Sequence, residues 1–172
     1  MPGKQALQDD SKTNGDAATQ PRLDILKKLR IVIRSAQRHS QWIEKQCGVS
    51  GAQLWMMQEL HDHPGLRVGE LAARLAIHQT TASNLVDALR KLGYVVKVRD
   101  EVDQRVVKLA LTDEGIGTLA KAPKPARGLL PEAILHLDEA SLAQLDQGLQ
   151  GLLKSIGHLD EAFGLMPMPF SM

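Results

Sequence analysis

The fold is decided by residues 71–95, which read LAARLAIHQTTASNLVDALRKLGYV. Apolar residues recur at three- and four-residue steps on both sides of residues 77–79, which predicts short helices over residues 68–76 and 80–92. The positions expected to face the interior are Leu71, Ala72 and Leu75 in the first helix and Ala82, Leu85, Val86 and Leu89 in the second. Gly93 suits the left-handed cap that ends a helix. Two short helices joined by so tight a connection predict a helix-turn-helix.

The sequence after Gly93 predicts a β-hairpin. Residues 94–99 and 106–111 are rich in β-branched residues and alternate in polarity, and the charged loop DEVDQR separates them. A helix-turn-helix followed directly by a hairpin is a winged helix. We therefore predict a mainly α fold with a small β-hairpin wing, in which other helices precede and follow the winged helix-turn-helix.

The flanking sequences complete the predicted organisation. Pro21 suits the start of a long amphipathic helix that Gly48 ends, and Ser50 can cap the helix that follows. After the hairpin, Thr112 and Asp138 can each cap a helix, whereas Pro123, Pro125 and Pro131 must interrupt the stretch between them. The predicted parts are a disordered N-terminal tail at 1–20, an N-terminal helix at 21–47, the winged helix at 48–112, C-terminal helices at 113–160 and a C-terminal tail at 161–172. The end of that tail, Met166–Met172, is expected to fray.

Composition and charge exclude several classes of protein. The formal net charge of +1 excludes a histone-like polycation, and one cysteine excludes a disulfide framework or a multi-cysteine metal site. Aromatic residues, at 3%, are too few for a base-stacking surface. The first twenty residues lack the apolar core of a signal peptide, and no run is long enough to span a bilayer. The expectation is a soluble cytoplasmic protein without a membrane partner.

The near-neutral total conceals an uneven distribution of charge. Residues 22–47 carry seven bases and two acids, and residues 66–108 carry eight bases and five acids. Residues 109–172 carry four bases and eight acids. The predicted winged helix is therefore basic, which suits a partner with a phosphate backbone.

The second helix of the helix-turn-helix carries side chains that suit the major groove of duplex DNA. Its exposed face is expected to present His78, Gln79, Thr80, Ser83 and Asn84. Gln and Asn side chains pair with adenine edges, and Thr can contact a thymine methyl group. The charged hairpin tip could reach phosphates or the minor groove. Winged helices also serve as protein-interaction modules that bind no DNA, and this alternative stays open.

Residues 71–95 resemble the helix-turn-helix of the MarR family of bacterial transcription regulators. Residues 100–105, followed by VKLALTDEG at 107–115, resemble the wing of that family and its Leu-Thr-acid-acid-Gly run. The resemblance implies a homodimer, formed by the N- and C-terminal helices, that binds a pseudo-palindromic operator, most simply as a repressor. Arg90, Arg99 and Arg105, among the bases of the predicted winged helix, are also expected to bind DNA. The resemblance makes Arg105 the retained base of the wing, with Asp103 placed to orient it and Arg99 as a substitute at the tip. Val102 and Asn84 stand where many members carry arginine.

The sequence independently favours the homodimer. The N-terminal helix and the Leu-rich C-terminal helix have more apolar surface than a small winged domain can cover. Two-fold symmetry would then place the two half-sites about 10 bp apart.

The resemblance also raises two ways of switching DNA binding. Family members often bind a small aromatic or phenolic anion between the dimer helices and the winged domain. The candidate effector residues here are His39, Trp42, Met57 and His61, although Trp and Met at helical spacing are more often core residues. Cys47 is a candidate redox sensor, but its position at the negative end of a helix opposes a reactive thiolate and favours a structural cysteine.

An enzyme is not expected. His61 and His63 are two residues apart and would point away from each other on a helix, so they form no zinc pair. The sequence Gly115-Ile-Gly117 lacks the third glycine and the preceding strand of a dinucleotide-binding loop. Neither a nucleophile elbow nor a convincing pair of carboxylates is present, and we predict no cofactor and no metal.

Overall fold

The computed structural model describes residues 11–157 and 160–172. Within them the helices are α1 (Ser11–Cys47), α2 (Gly51–Asp62), α3 (Val68–Leu75), α4 (Gln79–Lys91), α5 (Asp113–Lys121), α6 (Leu129–Leu135) and α7 (Glu139–Ile156), followed by a 3₁₀ helix (Glu161–Leu165). Strands β1 (Val95–Arg99) and β2 (Val107–Leu111) lie between α4 and α5. This order is that of a winged helix with flanking helices, and it confirms the predicted fold class.

The chain divides into two compact units at residue 35. Among the described residues, the first unit consists of the N-terminal part of α1. Large apolar side chains there stay open to solvent, among them Ile25, Ile31 and Ile33. The second unit, which begins at Ala36, holds the end of α1, the winged helix and all that follows.

The start of α1 differs from the prediction. The helix begins at Ser11, so residues 11–20 are helical where a disordered tail was expected, and Pro21 lies inside the helix and not at its first turn. Extending an existing helix fixes one residue per added hydrogen bond, whereas a new helix needs a costly first turn, so a long helix can continue past a poor segment. The rest of the predicted tail, residues 1–10, lies outside the described residues.

Caps fix the ends of the helices that frame the winged domain. The Ser50 hydroxyl accepts from the Gln53 N–H at 3.3 Å, and the Gln53 side chain accepts from the Ser50 N–H at 2.8 Å, which forms a reciprocal capping box. The carboxylate of Asp138 caps α7 by accepting from the N–H of Ser141 at 2.8 Å. Gly93 adopts a φ of 79°, in the left-handed region that the predicted cap requires.

One hydrophobic core lies beneath the winged helix. It joins the end of α1, α2, the helix-turn-helix, both strands and α5 through side chains that include Ile43, Leu54, Met57, Leu71, Val86, Leu89, Val95, Leu109 and Leu119. The strands are antiparallel and pair from Val95 with Leu111 to Arg99 with Val107. The N–H of Leu109 also donates to the carbonyl of Leu66 at 2.8 Å, which ties the wing to the segment before α3.

The C-terminal segment is held against the winged domain. Met166–Met172 was expected to fray, but the carbonyl of Ser171 accepts from the N–H of Ala52 at 2.9 Å, and the carbonyl of Leu165 accepts from the N–H of His78 at the same distance. Exposed N–H groups at the first turns of helices supply bonding partners that sequence periodicity does not reveal.

Candidate nucleic-acid interface

Helix α4 lies with one face in the core and the opposite face in solvent. Its inward stripe of Ala82, Val86 and Leu89 is fully buried. The predicted base-reading residues lie together in the first two turns: His78, Gln79, Thr80 and Asn84 are exposed, and Ser83 is half-buried. This polar end of α4 is therefore available to the edges of bases in a groove.

The wing tip is organised by Asp100, a residue that was not predicted to have a role. One oxygen of Asp100 accepts from the N–H groups of Val102 and Asp103 at 2.9 and 3.0 Å, and Lys108 pairs with the other oxygen. The hydrogen bond from Lys108, followed by those from the two backbone amides, lowers the pKa of Asp100 to about 2. An aspartate that opens a polar turn is a known turn signal, so this role could have been predicted.

Asp103 and Arg105 are both exposed at the tip, but their contact differs from the predicted one. The carboxylate of Asp103 accepts from the main-chain N–H of Arg105 at 3.0 Å, whereas an orienting contact with the arginine side chain was expected. A carboxylate two residues before an amide reaches that amide within the same tight turn. The guanidinium groups of Arg105 and Arg99 remain exposed on the wing.

Half of the basic side chains of the winged helix are already neutralised within the molecule. Among the eight bases of residues 66–108, all of which the structure describes, four form ion pairs: Arg74 with Glu59, Arg90 and Lys97 with Asp87, and Lys108 with Asp100. The four without an ion pair are Arg67, Lys91, Arg99 and Arg105. Lys97, then Arg90, lowers the pKa of Asp87 by hydrogen bonding to it. The exposed pairs that Arg90 and Lys97 form with Asp87 are weak enough to exchange for phosphate.

A buried carboxylate fixes the helix-turn-helix to the rest of the domain. Glu59 on α2 is 5% exposed and accepts from Arg127 Nε at 2.8 Å, Trp55 Nε1 at 3.1 Å and Arg74 Nη1 at 3.3 Å. Arg127 also donates to Asp62 at 2.6 Å. The hydrogen bond from Arg127 to Glu59 is the main reason that the pKa of Arg127 is raised. One acid thus connects α2, α3 and the segment before α6.

A cavity of about 450 Å³ lies beside this carboxylate, within the second unit. Its walls are mostly apolar and come from the end of α1, α2, the turn between α3 and α4, α6 and the C-terminal segment. His39 and Arg127 are the two ionisable residues in its lining. His39 is buried, and its Nε2 lies 2.9 Å from the carbonyl of Pro125, which makes it a donor to that carbonyl.

The cavity contains one of the four predicted effector residues. His39 lines it, but Trp42 is 51% exposed and contacts His39 edge to face, with ring centroids 5.9 Å apart. Met57 lies in the core with no exposed surface, and His61 is on the exposed side of α2 beside Asp62. The resemblance indicated a site between the dimer helices and the winged domain, whereas the walls of this cavity also include Arg127, residues of α6 and the C-terminal segment.

Cys47 is half-buried at the end of α1 and packs against the core. Burial raises the pKa of its thiol, which agrees with a structural cysteine and opposes the redox alternative. Among the described residues, no group of three His, Cys, Asp or Glu side chains could hold a metal ion. Within the same part of the chain, no helix has both the length and the apolar character needed to cross a bilayer.

The fold and the open face of α4 define a winged helix-turn-helix protein. Residues 48–106 match the model of the MarR family. The chain is 32% identical over 102 residues to the HTH-type transcriptional repressor MdtR of Bacillus subtilis, an alignment that covers 59% of this chain and 65% of MdtR. The winged helix of this chain is therefore similar to that of the MarR family. The relatives are named as transcriptional regulators and not as enzymes, in agreement with the prediction, and the chain spans slightly less than two thirds of their length.

Solved structures show the same fold. The crystal structure of YusO from Bacillus subtilis is 26% identical, with a TM-score of 0.52 over 80% of this chain and 98% of YusO. A mutant of MepR from S. aureus, bound to an oligodeoxyribonucleotide, is 22% identical, with a TM-score of 0.50 over 78% of this chain and 97% of MepR. The likeness to MepR is one of fold.

Proposed function

We propose that the protein is a sequence-specific DNA-binding transcription regulator, a homodimer that acts most simply as a repressor. The observation that carries this proposal is the polar face of α4, which is exposed beside a wing with unpaired arginines. A related repressor, MdtR, and a DNA-bound structure of the same fold, that of MepR, support it. Since such a regulator has to reach the chromosome, the proposal places it in the cytoplasm.

In this proposal the first turns of α4 enter the major groove. Gln79 and Asn84 would pair with adenine edges, and Thr80 would contact a thymine methyl group. Arg99 and Arg105 on the wing would bind phosphates beside the groove or enter the minor groove. Arg90 would contribute once phosphate competes with Asp87 for its guanidinium group, which lies 3.2 Å from that carboxylate.

The homodimer would be formed by the helices outside the winged domain. On α7 the leucine side chains are 40–50% exposed at Leu142, Leu145, Leu149, Leu152 and Leu153. An apolar stripe of this length on one helix indicates a partner surface. A second copy would cover it and would present two reading helices to a pseudo-palindromic operator, with half-sites about 10 bp apart.

The cavity is the proposed effector site. Apolar walls with one guanidinium group and one imidazole suit a small aromatic or phenolic anion, and Arg127 would bind its charge. The cavity wall includes Leu75, Ala76 and Ile77 at the turn of the helix-turn-helix. A ligand that prefers one position of this turn would therefore shift the affinity for DNA.

The DNA interface can be tested with the duplex that lies beside the protein's own gene and with a duplex of unrelated sequence. We expect Arg105→Ala to weaken binding to both duplexes and to reduce the salt slope by about 1 for each phosphate that is no longer neutralised. Gln79→Ala and Asn84→Ala should instead change the preference between the two. Lys121→Ala, which removes an exposed cation from α5, is the control and should leave binding unchanged.

Two outcomes would count against the DNA interface. Equal affinities of the wild type and Arg105→Ala at moderate salt would contradict the role of the wing. Failure of the wild type to retain either duplex would favour a protein-interaction module.

The dimer can be tested by light scattering at micromolar concentration. We expect twice the 18.8 kDa mass of one chain. Leu149→Glu places a charge in the exposed leucine stripe and should give the mass of one chain, whereas Gln147→Glu adds the same carboxylate nearby and should leave the dimer intact. A wild-type mass of 18.8 kDa would contradict the homodimer.

A further inference from the structure

The C-terminal segment Gly164–Ser171 contacts the winged domain at two helix starts. The carbonyl of Ser171 accepts from the N–H of Ala52, in the first turn of α2, and the carbonyl of Leu165 accepts from the N–H of His78, the residue that precedes α4. The first N–H groups of a helix have no acceptor within that helix. This segment therefore supplies backbone acceptors to both the helix that supports the core and the helix proposed to read DNA.

The same segment forms one wall of the cavity. Met166, Pro167, Met168 and Phe170 line it, together with apolar side chains of α1 and α6. Phe170 is half-buried, whereas Phe163, seven residues earlier, is 68% exposed and lies outside the lining. Of these two phenylalanines, Phe170 thus belongs to the cavity wall and Phe163 does not.

Gly51 at the start of α2 makes room for this contact. A Cβ atom at Gly51 would lie 3.2 Å from Cβ of Ser171 and 2.8 Å from the hydroxyl of Ser40. The backbone at Gly51 is outside the left-handed region, so the missing side chain and not conformational freedom explains the glycine. The absence of a side chain at Gly51 therefore lets Ser171 approach the start of α2 closely.

The C-terminal segment is bound less strongly to the domain than the core side chains are to one another. Within residues 160–172, all of which are described, no side chain belongs to the buried core and none forms an ion pair. The segment is held by the backbone hydrogen bonds to Ala52 and His78 and by the apolar side chains that line the cavity, among them Phe170. We therefore expect the core to stay folded when the segment is released.

We propose that residues 164–171 form a displaceable strap that links occupancy of the cavity to the start of α4. An aromatic anion in the cavity displaces Phe170, the strap moves, and the carbonyl of Leu165 withdraws from the N–H of His78. The N-terminal turn of α4, which carries Gln79 and Thr80, loses this support. The linkage to a ligand rests on the proposed effector site, but the docking of the strap does not.

Amide hydrogen exchange, followed by NMR in the full-length protein, tests the docking. In the wild type the amides of Ala52 and His78 should exchange at least tenfold more slowly than in an unstructured peptide. Phe170→Asp should release the strap and raise both rates by tenfold or more. Phe163→Asp introduces the same charge on the same residue type outside the cavity, and should leave both rates within twofold of wild type.

Exchange at Leu54 in the core shows whether Phe170→Asp still folds. If that variant loses protection at Leu54 too, Gly51→Ala decides the matter, since it displaces Ser171 and should raise exchange at Ala52 at least threefold. Unprotected Ala52 and His78 in the wild type, or equal effects of the two phenylalanine variants in folded protein, would overturn the strap.

Anilinonaphthalene sulfonate, a fluorescent aromatic anion, tests the linkage. Its binding should raise the exchange of His78 in the wild type and leave Leu54 protected. Binding without any change at His78 would overturn the linkage. Absence of binding would contradict the proposed effector site and with it the ligand-driven step, while the two phenylalanine variants would still decide whether the strap docks.

Discussion

Gly115 lies in the first turn of α5, next to Tyr94, the residue that connects α4 with the wing. It is buried, and its N–H donates to the hydroxyl of Thr112 at 3.0 Å. A Cβ atom at Gly115 would lie 2.3 Å from the carbonyl oxygen of Tyr94 and 3.1 Å from the carbonyl carbon. That carbonyl also accepts from the N–H of Thr112 at 3.0 Å. Gly115→Ala therefore forces two backbone segments apart, because no side-chain rotation can relieve the clash.

The size of the effect follows from opposing contributions. Overpacking costs about 1–3 kcal/mol, and a backbone clash belongs at the upper end of that range. Weakening the cap from Thr112 destabilises the fold by about 1 kcal/mol more, whereas alanine in place of glycine within a helix stabilises it by about 1 kcal/mol. We expect Gly115→Ala to lower the free energy of unfolding by about 3 kcal/mol.

Gly117 provides a matched control on the same helix. A Cβ atom there would meet no heavy atom within 4 Å, so Gly117→Ala should raise the free energy of unfolding by about 1 kcal/mol. Urea unfolding followed by circular dichroism, at one protein concentration for all variants, measures both changes. If the two variants differ by less than about 1 kcal/mol, the carbonyl of Tyr94 does not approach α5 this closely.

Three further predictions concern single ionisable groups. The ion pair with Lys108 lowers the pKa of Asp100 to about 2, so the wing tip should keep its order above pH 4 and lose it as the pH falls toward 2. Amide exchange at Val102 and Asp103 measures this order. A change in exchange around pH 3.8, the ordinary pKa of an aspartate, would contradict the ion pair. Burial raises the pKa of Cys47, so iodoacetamide should alkylate it at least tenfold more slowly than a free thiol at pH 8, and an equal rate would reopen the redox alternative. Glu59→Gln should lower the free energy of unfolding by about 2 kcal/mol in urea, because it weakens charged hydrogen bonds, while Glu44→Gln at an exposed position should change it by less than about 0.5 kcal/mol.

Local signals were sufficient to predict the winged helix. The periodicity of α3 and α4, the caps at Ser50 and Thr112 and the left-handed Gly93 each act within a few residues, so the sequence contains the information directly. The predicted start of α1 was wrong because Pro21 is only a local signal, and the helix continues to Ser11 on its N-terminal side.

The exposure of the predicted reading residues on α4 could be predicted because they lie opposite a buried stripe, but the cavity could not be predicted. Arg127 meets Glu59 across 68 residues, and the strap reaches Ala52 and His78 from more than eighty residues away. No periodicity relates such positions. Of the candidate effector residues His39, Trp42, Met57 and His61, which followed from the family resemblance, the cavity is lined by His39 alone.

The carboxylate of Glu59 has a consequence for how such a sequence can diverge. It accepts hydrogen bonds from both Arg74 on α3 and Arg127 before α6. Replacing either arginine leaves a buried carboxylate with fewer donors, and replacing Glu59 leaves two guanidinium groups without their common acceptor. A single substitution at any of these positions therefore lowers the stability of the fold. Across descendants of this sequence the three positions should therefore change together, as one inherited unit, although they belong to three separate elements of the chain.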